Sequence, residues 1–412
     1  MKTTLPPEKI GLSLDDARLV TLHRLAPSVS ITVALEEAAG HVLAESVFAE
    51  RDDPRFNNSA MDGWAIHIDD GYAGNIIKAT GSVFAGSDVA EITVEPGRTV
   101  RVMTGAEMPK GASLVAPVEI VEEIYDAGEV SSIRLIEAAA DHIRRRGENY
   151  RRGDVLLRAG SVLVPSCLSL AASAGSSTLC VKRPFKVAIL PSGDELVKPG
   201  GVLGPGQLHE SNSLALAGMV KRLGHHAIVL PIVGDDIDET RSALDIAAGA
   251  DVILTSGGIS MGEADHIRAL MESEGEVDFW RISMKPGGPP LFGAWRGKPI
   301  FGLPGNPVST QVVFILLVAP WLAASQGAGI DDPNLTARRV PVIVEESFRA
   351  NRKKQTFPRV IISYKNNNLI AISPSHQGSG NTLNMALANG ILDIPAGAEI
   401  PAGSTISALL FD

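Results

Sequence analysis

Between residues 185 and 325 the sequence alternates, at short intervals, between apolar runs and segments of helical period, and this restricts the fold more than any other feature. The runs 185–190 (FKVAIL) and 250–256 (ADVILTS) are apolar almost throughout, with 226–233 (HAIVLPIV) between them. A strand without polar alternation must be covered on both faces, and parallel strands need a crossover of a dozen or so residues, usually a helix. Helical segments stand where such crossovers belong, at 211–224, 238–249 and 263–275. For these helices the sequence offers Ser211 or Asn212 and then Asp238 as N-caps, with Gly224 as a stop. Short strands at 277–282, 291–295 and 299–304 and a closing helix from 306 complete the pattern. It predicts a doubly wound, mostly parallel α/β sheet.

The flanks read differently. Residues 13–26 have helical spacing and 32–39 suggests a second helix. Short alternating runs at 99–105, 113–125 and 130–137, separated by Gly, Pro and Asp, predict a small β domain. Period-two runs return at 338–348, 359–364, 368–373, 390–395 and 404–411, which suits a small barrel or sandwich. The expected division is a discontinuous N-terminal domain of 1–50 and 150–182, a β-rich insertion of 51–149, the α/β domain of 183–329 and a C-terminal β domain of 335–412.

Charge narrows the function. A net charge of −10 makes nucleic acid and anionic membrane poor partners. Two cysteines, Cys167 and Cys180, outside any CxxC pair, read as reduced thiols of a cytoplasmic protein. The apolar run 312–319 is short for a membrane span and reads as a buried helix. No GxGxxG opens the first βαβ unit, and no GxxxxGK[ST] or HExxH is found.

Ligands of doubly wound sheets bind beyond the carboxyl ends of the strands. Four such ends carry unusual loops here. In 255–265 (TSGGISMGEAD), Ser256, Gly257 and Gly258 can bring backbone amides to an anion, and Glu263 and Asp265 follow at a helix start. In 302–309 (GLPGNPVS), Asn306 fits an N-cap and Pro307 the first helical position, so Pro304, Gly305, Asn306, Pro307 and Ser309 outline an oxyanion site. Asp194 and Glu195 in PSGDE, and Asp235 and Asp236 in GDDIDE, together with Glu263 and Asp265 make six acids at these ends, a set suited to Mg²⁺. Arg281 and Lys285, four residues apart, would share one face of a strand. Five arginines between Arg144 and Arg152 could clamp an oxyanion or be a solvated basic run.

Seven segments, NNSAMDGWA, RVMTGA, IRRRGEN, PSGDEL, SGGISMGEAD, KPGGPP and GLPGNPVS, occur in this order, and together the chain resembles the MoeA family of molybdopterin molybdenumtransferases, which includes the E domain of gephyrin. The resemblance implies an elongated homodimer of four-domain chains, with an active cleft between the sheet domain of one chain and the insertion of the other. It implies a reaction in which adenylylated molybdopterin and molybdate yield the molybdenum-loaded pterin and AMP, assisted by Mg²⁺ or Zn²⁺. Contacts with the adenylylating enzyme are implied as well. Carried over by motif, Asp62 and Thr104 come from the insertion side. Glu195, Asp235 or Asp236, and Asp265 hold metal and help cleave the phosphoanhydride. Arg281 and Lys285 neutralise molybdate or phosphate, with Arg144, Arg359 and Ser379 as further anion ligands. Three positions depart from the family pattern: Asn149 replaces a usual Asp, Gly288 a frequent Lys, and Arg281 a common Lys. Adenylylation of molybdopterin with ATP, or a non-catalytic scaffold, are the competing expectations.

Overall fold

The computed structural model describes residues 5–259 and 265–411. The chain divides into two compact units, one of Met1–Glu45, Ala159–Pro165 and Thr178–Asp412, the other of Ser46–Arg158 and Ser166–Ser177.

The first unit is organised by a seven-stranded sheet in the order Ile10–Leu12, Glu276–Ile282, Leu291–Trp295, Lys298–Leu303, Val252–Ser256, Lys186–Pro191, His226–Val229. The last four strands are mutually parallel, which agrees with the doubly wound fold expected from the alternation. Val187 and Ile189 point into one apolar core and Ala188 and Leu190 into the other, so the uniformly apolar run is covered on both faces. Leu291–Trp295 runs antiparallel because it closes a two-residue hairpin onto Lys298–Leu303. Both turn residues, Arg296 and Gly297, have positive φ, the hand that matches strand twist.

Several elements depart from the sequence reading. Ile10–Leu12, expected in a separate N-terminal domain, adds an edge strand to the sheet, pairing Ile10 with Trp280 and Leu12 with Ile282. The helix Leu14–Leu22, capped by Ser13, then buries Leu14 and Ala17 in the main core. The segment expected to be helical at 32–39 is the strand Ser30–Ala34 followed by a single 3-10 turn. Its β-branched Ile31, Thr32 and Val33 alternate in exposure and pair with Thr178–Lys182, and that pairing overrides the helical spacing. The cap of Ile237–Ala247 is Asp236 rather than Asp238, its carboxylate accepting from the amides of Asp238 and Glu239.

Among the described residues one helix, Pro307–Ser325, is long and apolar enough to cross a membrane, but 89% of its most apolar window is buried within the protein. Pro320 sits inside it and has no N–H for the carbonyl of Leu316. The helix widens into a π turn at Phe314–Val318, and Arg18 Nε donates to the freed Leu316 oxygen at 2.9 Å. After it, Arg338–Val344, Asn368–Ile372, Arg359–Lys365, Gly390–Leu392 and Thr405–Leu410 form a closed barrel in that order. A short parallel pairing of Met284–Lys285 with Gln355–Thr356 ties this segment to the sheet strands.

The second unit contains a six-stranded sheet in the order Ala112–Pro117, Gly63–His67, Arg98–Val102, Ile76–Val83, Glu129–Leu135, Val121–Asp126. Val47–Phe48 pairs antiparallel with Val155–Leu157, and Asp53 bridges to Tyr150, so the two ends of the unit form a stem.

Candidate functional site

The loops leaving three adjacent parallel strands touch at the carboxyl edge of the large sheet. Ser192 donates its amide to Ser256 O at 3.1 Å, and Gly257 donates to Leu303 O at 3.1 Å. Gly257 and Gly258 have φ of +97° and +66°. A Cβ at 257 would stand 2.7 Å from Ser192 O, and one at 258 would stand 2.9 Å from the Ile267 side chain, so glycine is required at both. Asn306 is the N-cap and Pro307 the first residue of the long helix, as their order suggested.

Asn212 joins two of these loops. Its buried amide nitrogen donates to Ser256 Oγ at 2.7 Å and to Gly305 O at 2.7 Å. Its Oδ1 and the neighbouring Thr255 Oγ1 are buried without partners among the described residues. The sequence reading treated Asn212 only as a helix cap. Its signal was a polar side chain on the helix face that otherwise carries Leu216 and Val220 into the core.

The acids lie along the same edge. Asp194 Oδ1 accepts from the amide of Asp235 at 2.9 Å, and the ring Nε2 of His266 donates to Asp235 O at 3.1 Å. Asp265 stands at the N-cap of His266–Ser273. Glu195 is exposed, as are Asp235 and Asp236, and Asp236 Oδ1 is taken by its helix. Glu263 lies outside the described residues. Among the described residues no three of His, Cys, Asp and Glu gather as a preformed metal cage.

The bases lie in a cleft of about 1170 Å³ between the 281–289 turn and the C-terminal segment. Arg281, Lys285, Ser309, Lys354, Arg359 and Ser379 all line it. Among the described residues Arg281, Lys285 and Lys354 have no ion-pair partner. Glu346, a carboxylate on the wall, accepts from the amide of Ser373. Arg281 and Lys285 share the cleft, but not by simple strand periodicity. Arg281 adopts φ +71° within the strand Glu276–Ile282, and Ser283 separates that strand from Met284–Lys285. Its guanidinium lies 4.5 Å from the centre of the Trp280 ring, and Arg268 lies 4.8 Å from the same ring. Arg359 is fully buried, donating to Asn384 Oδ1, Gln377 O and Gly378 O; burial holds its guanidinium below the usual arginine range. The amide of Val308 donates to Ser379 O at 3.2 Å, so the turn at 304–309 adjoins both the glycine loops and the basic cleft. Glu195, Asp235 and Asp265 are not among the described residues that line this cleft.

In the second unit Asp62 and Thr104 form a pair. The Asp62 carboxylate accepts from Thr104 N at 2.7 Å and from Thr104 Oγ1 at 2.8 Å. These bonds hold it below the ordinary aspartate range. Arg144 is exposed, on a strand paired with Asn58–Ser59, whereas Arg145 and Arg146 are bound to Asp141 and Asp52. Asn149 donates to Asp53 Oδ2 at 2.8 Å, a place where an aspartate would set two carboxylates against each other.

Three family models match the chain in succession: "MoeA N-terminal region (domain I and II)" at 12–175, "Probable molybdopterin binding domain" at 188–324 and "MoeA C-terminal region (domain IV)" at 341–411. A protein of Haemophilus influenzae named molybdopterin molybdenumtransferase is 38% identical over 321 residues, 77% of this chain and 78% of that one. Molybdopterin molybdenumtransferase 2 of Mycobacterium tuberculosis is 34% identical over 410 residues, covering 96% of this chain and 98% of its own. The crystal structure of a molybdopterin biosynthesis MoeA protein from Pyrococcus horikoshii OT3 superposes with a TM-score of 0.82 at 26% identity, over 97% of this chain and all of that chain.

Proposed function

The chain belongs to the MoeA family, and from that premise we propose that it is a cytoplasmic transferase that inserts molybdenum into molybdopterin. Its substrates are adenylylated molybdopterin and molybdate, and AMP is released. The observation that carries this reading is the cleft in which Arg281 and Lys285 stand without carboxylate partners beside Ser309 and Ser379. An uncommitted basic pocket in a protein of net charge −10 favours a small oxyanion, because unpaired cations repel one another until a dianion neutralises them.

The roles follow from position. Lys285 and Arg281 bind and charge-balance molybdate, with hydroxyl donors at Ser309 and Ser379. Buried Arg359 shapes the wall through its carbonyl contacts. Ser256, Gly257, Gly258, Pro304, Gly305, Asn306 and Pro307 form the floor against which the pterin and phosphates lie, braced by Asn212. Glu195, Asp235 and Asp265 serve cleavage of the phosphoanhydride, Asp62 and Thr104 act as a fixed carboxylate–hydroxyl pair, and Arg144 offers a phosphate contact.

The family reaction draws on a divalent metal, and the donors at the acidic edge suit Mg²⁺ better than Zn²⁺. Carboxylate oxygens of Glu195, Asp235 and Asp265 match an ion that takes one or two carboxylates, substrate phosphates and water. Zinc prefers nitrogen and sulfur ligands, and the Nε2 of the nearby His266 is engaged by Asp235 O. When bound, such an ion offsets charge developing on the leaving phosphate. Asp236, committed to its helix, is the weakest of the four metal ligands expected from sequence. A homodimer, contacts with the adenylylating enzyme, and separate roles for the segments 1–50 with 150–182, 51–149, 183–329 and 335–412 belong to the same proposal.

The test is to incubate the protein with adenylylated molybdopterin, molybdate and Mg²⁺ and to follow AMP release and active cofactor. Both should appear together, and Asp265→Ala should slow AMP release at least about tenfold. Consumption of ATP with free molybdopterin would identify the adenylylating reaction instead, and tight binding without turnover would identify a scaffold.

A further inference from the structure

The glycine at 288 leaves a place in the basic cleft that a lysine from elsewhere in the chain fills. Parallel pairing sets Met284 beside Gln355 and Lys285 beside Thr356. Gln355 donates its amide to Ser283 O at 3.0 Å, and Phe357 donates to Lys285 O at 2.8 Å. These bonds lock the register of the two segments. The turn before Gln355 is fixed as well, by the Asn351 to Lys354 bridge and by the Lys353 amide on Asn351 Oδ1 at 2.9 Å. Lys354 is thereby carried across the 284–288 backbone. A Cβ built on Gly288 would stand 3.5 Å from Lys354 Nζ. Lys354 is exposed, lines the cleft, and its ammonium has no hydrogen-bond or ion-pair partner among the described residues.

From this juxtaposition, and resting on the oxyanion reading of the cleft, we propose that Lys354 is a third anion-binding cation. It supplies, from the C-terminal segment, the charge that a side chain at 288 would otherwise carry. Three cations that make no ion pair among the described residues, in a cleft whose wall carries the carboxylate of Glu346, are mutually unfavourable until a doubly charged tetrahedral anion enters, so the set favours a dianion over a monoanion. Nothing in the packing needs the Lys354 ammonium, whereas an anion held by Lys285 would find it on the adjacent wall.

The experiment is calorimetric titration of the full-length protein with sodium molybdate, comparing wild type, Lys354→Ala, Lys285→Ala and the double variant Gly288→Lys/Lys354→Ala. Loss of one charge-assisted contact should weaken binding about tenfold in Lys354→Ala, with melting temperature unchanged because the side chain is exposed. The double variant should recover to within about threefold of wild type. Gly288 has an ordinary φ, and its added Cβ meets Met284 O at 3.1 Å, a contact relieved by a small shift. Recovery by a lysine from the other wall is something a structural role for Lys354 would not produce. Wild-type affinity in Lys354→Ala alongside lost affinity in Lys285→Ala would remove Lys354 from the site and leave the cleft reading intact. Undiminished affinity in both single variants would overturn both. Weakened binding that the double variant fails to restore would overturn the shared place.

Discussion

Arg281 tests whether the binding cleft is held at the expense of stability. It is a non-glycine residue at φ +71°, in the left-handed region where a Cβ crowds the backbone. That conformation costs about 1–2 kcal/mol for an L-residue. Two substitutions separate backbone from side chain. Arg281→Ala removes the guanidinium but keeps the Cβ and its strain. Arg281→Gly removes both, at an entropic cost of roughly 0.4–1 kcal/mol through the unfolded chain. Both lose the contact with Trp280, worth about 0.5–1 kcal/mol at a partly exposed site. The Gly variant should therefore be more stable than the Ala variant by about 0.5–1 kcal/mol. Relative to wild type, Ala should fall by about 0.5–1 kcal/mol while Gly stays near it. Urea unfolding followed by tryptophan fluorescence suits the comparison, because Trp280, Trp295 and Trp321 are all buried in the sheet-bearing unit. Both variants should bind molybdate about tenfold more weakly, since both lack the cation. An Ala variant as stable as the Gly variant would refute the claim of strain. A Gly variant that binds molybdate like wild type would show that the strained residue does not serve the anion.

Two further outcomes follow. Burial pushes the His225 imidazole down to about 4 from 6.5, and its Nδ1 accepts from the Phe185 amide. Because the unfolded chain binds more protons between those values, stability should fall as pH drops from 6.5 towards 4, by up to about 3 kcal/mol, and His225→Gln should flatten that slope in acid unfolding. At Asp62 the folded carboxyl is depressed, so its contribution is present above the unfolded value of 3.8 and lost as pH falls through the lower folded one. Thr104→Val, which removes one of the two Thr104 donors, should raise that folded value in a carboxyl NMR titration, and an unmoved titration would exclude the pairing in solution.

How much of the site could be read in advance differs by residue. The glycine loop at 256–258 and the Asn306–Pro307 helix start were legible because each is a local device: positive φ demands glycine, and a helix start favours an N-cap followed by proline. The brace at Asn212 was not legible, because its partners, Ser256 and Gly305, are 44 and 93 residues away. Lys354 was equally hidden, an ordinary surface lysine until the Met284–Lys285 pairing brings it across Gly288. The 32–39 segment misled because its spacing suits a helix while its β-branched residues suit the partner strand that only folding supplies.

By itself the amino-acid order determined what short-range physics can determine: the uniformly apolar strands that demand cover on both faces, the intervening helices, and the alternating strands of the flanking β regions. Tertiary structure alone decided which ends meet. It set Ile10–Leu12 against a strand more than 260 residues away, let Arg18 satisfy the carbonyl freed by Pro320, and brought Lys354 across Gly288. Periodicity and capping act within a few residues along the chain, whereas strand order, register and the pairing of distant polar groups are fixed only when burial forces every backbone group and every charge to find a partner in space.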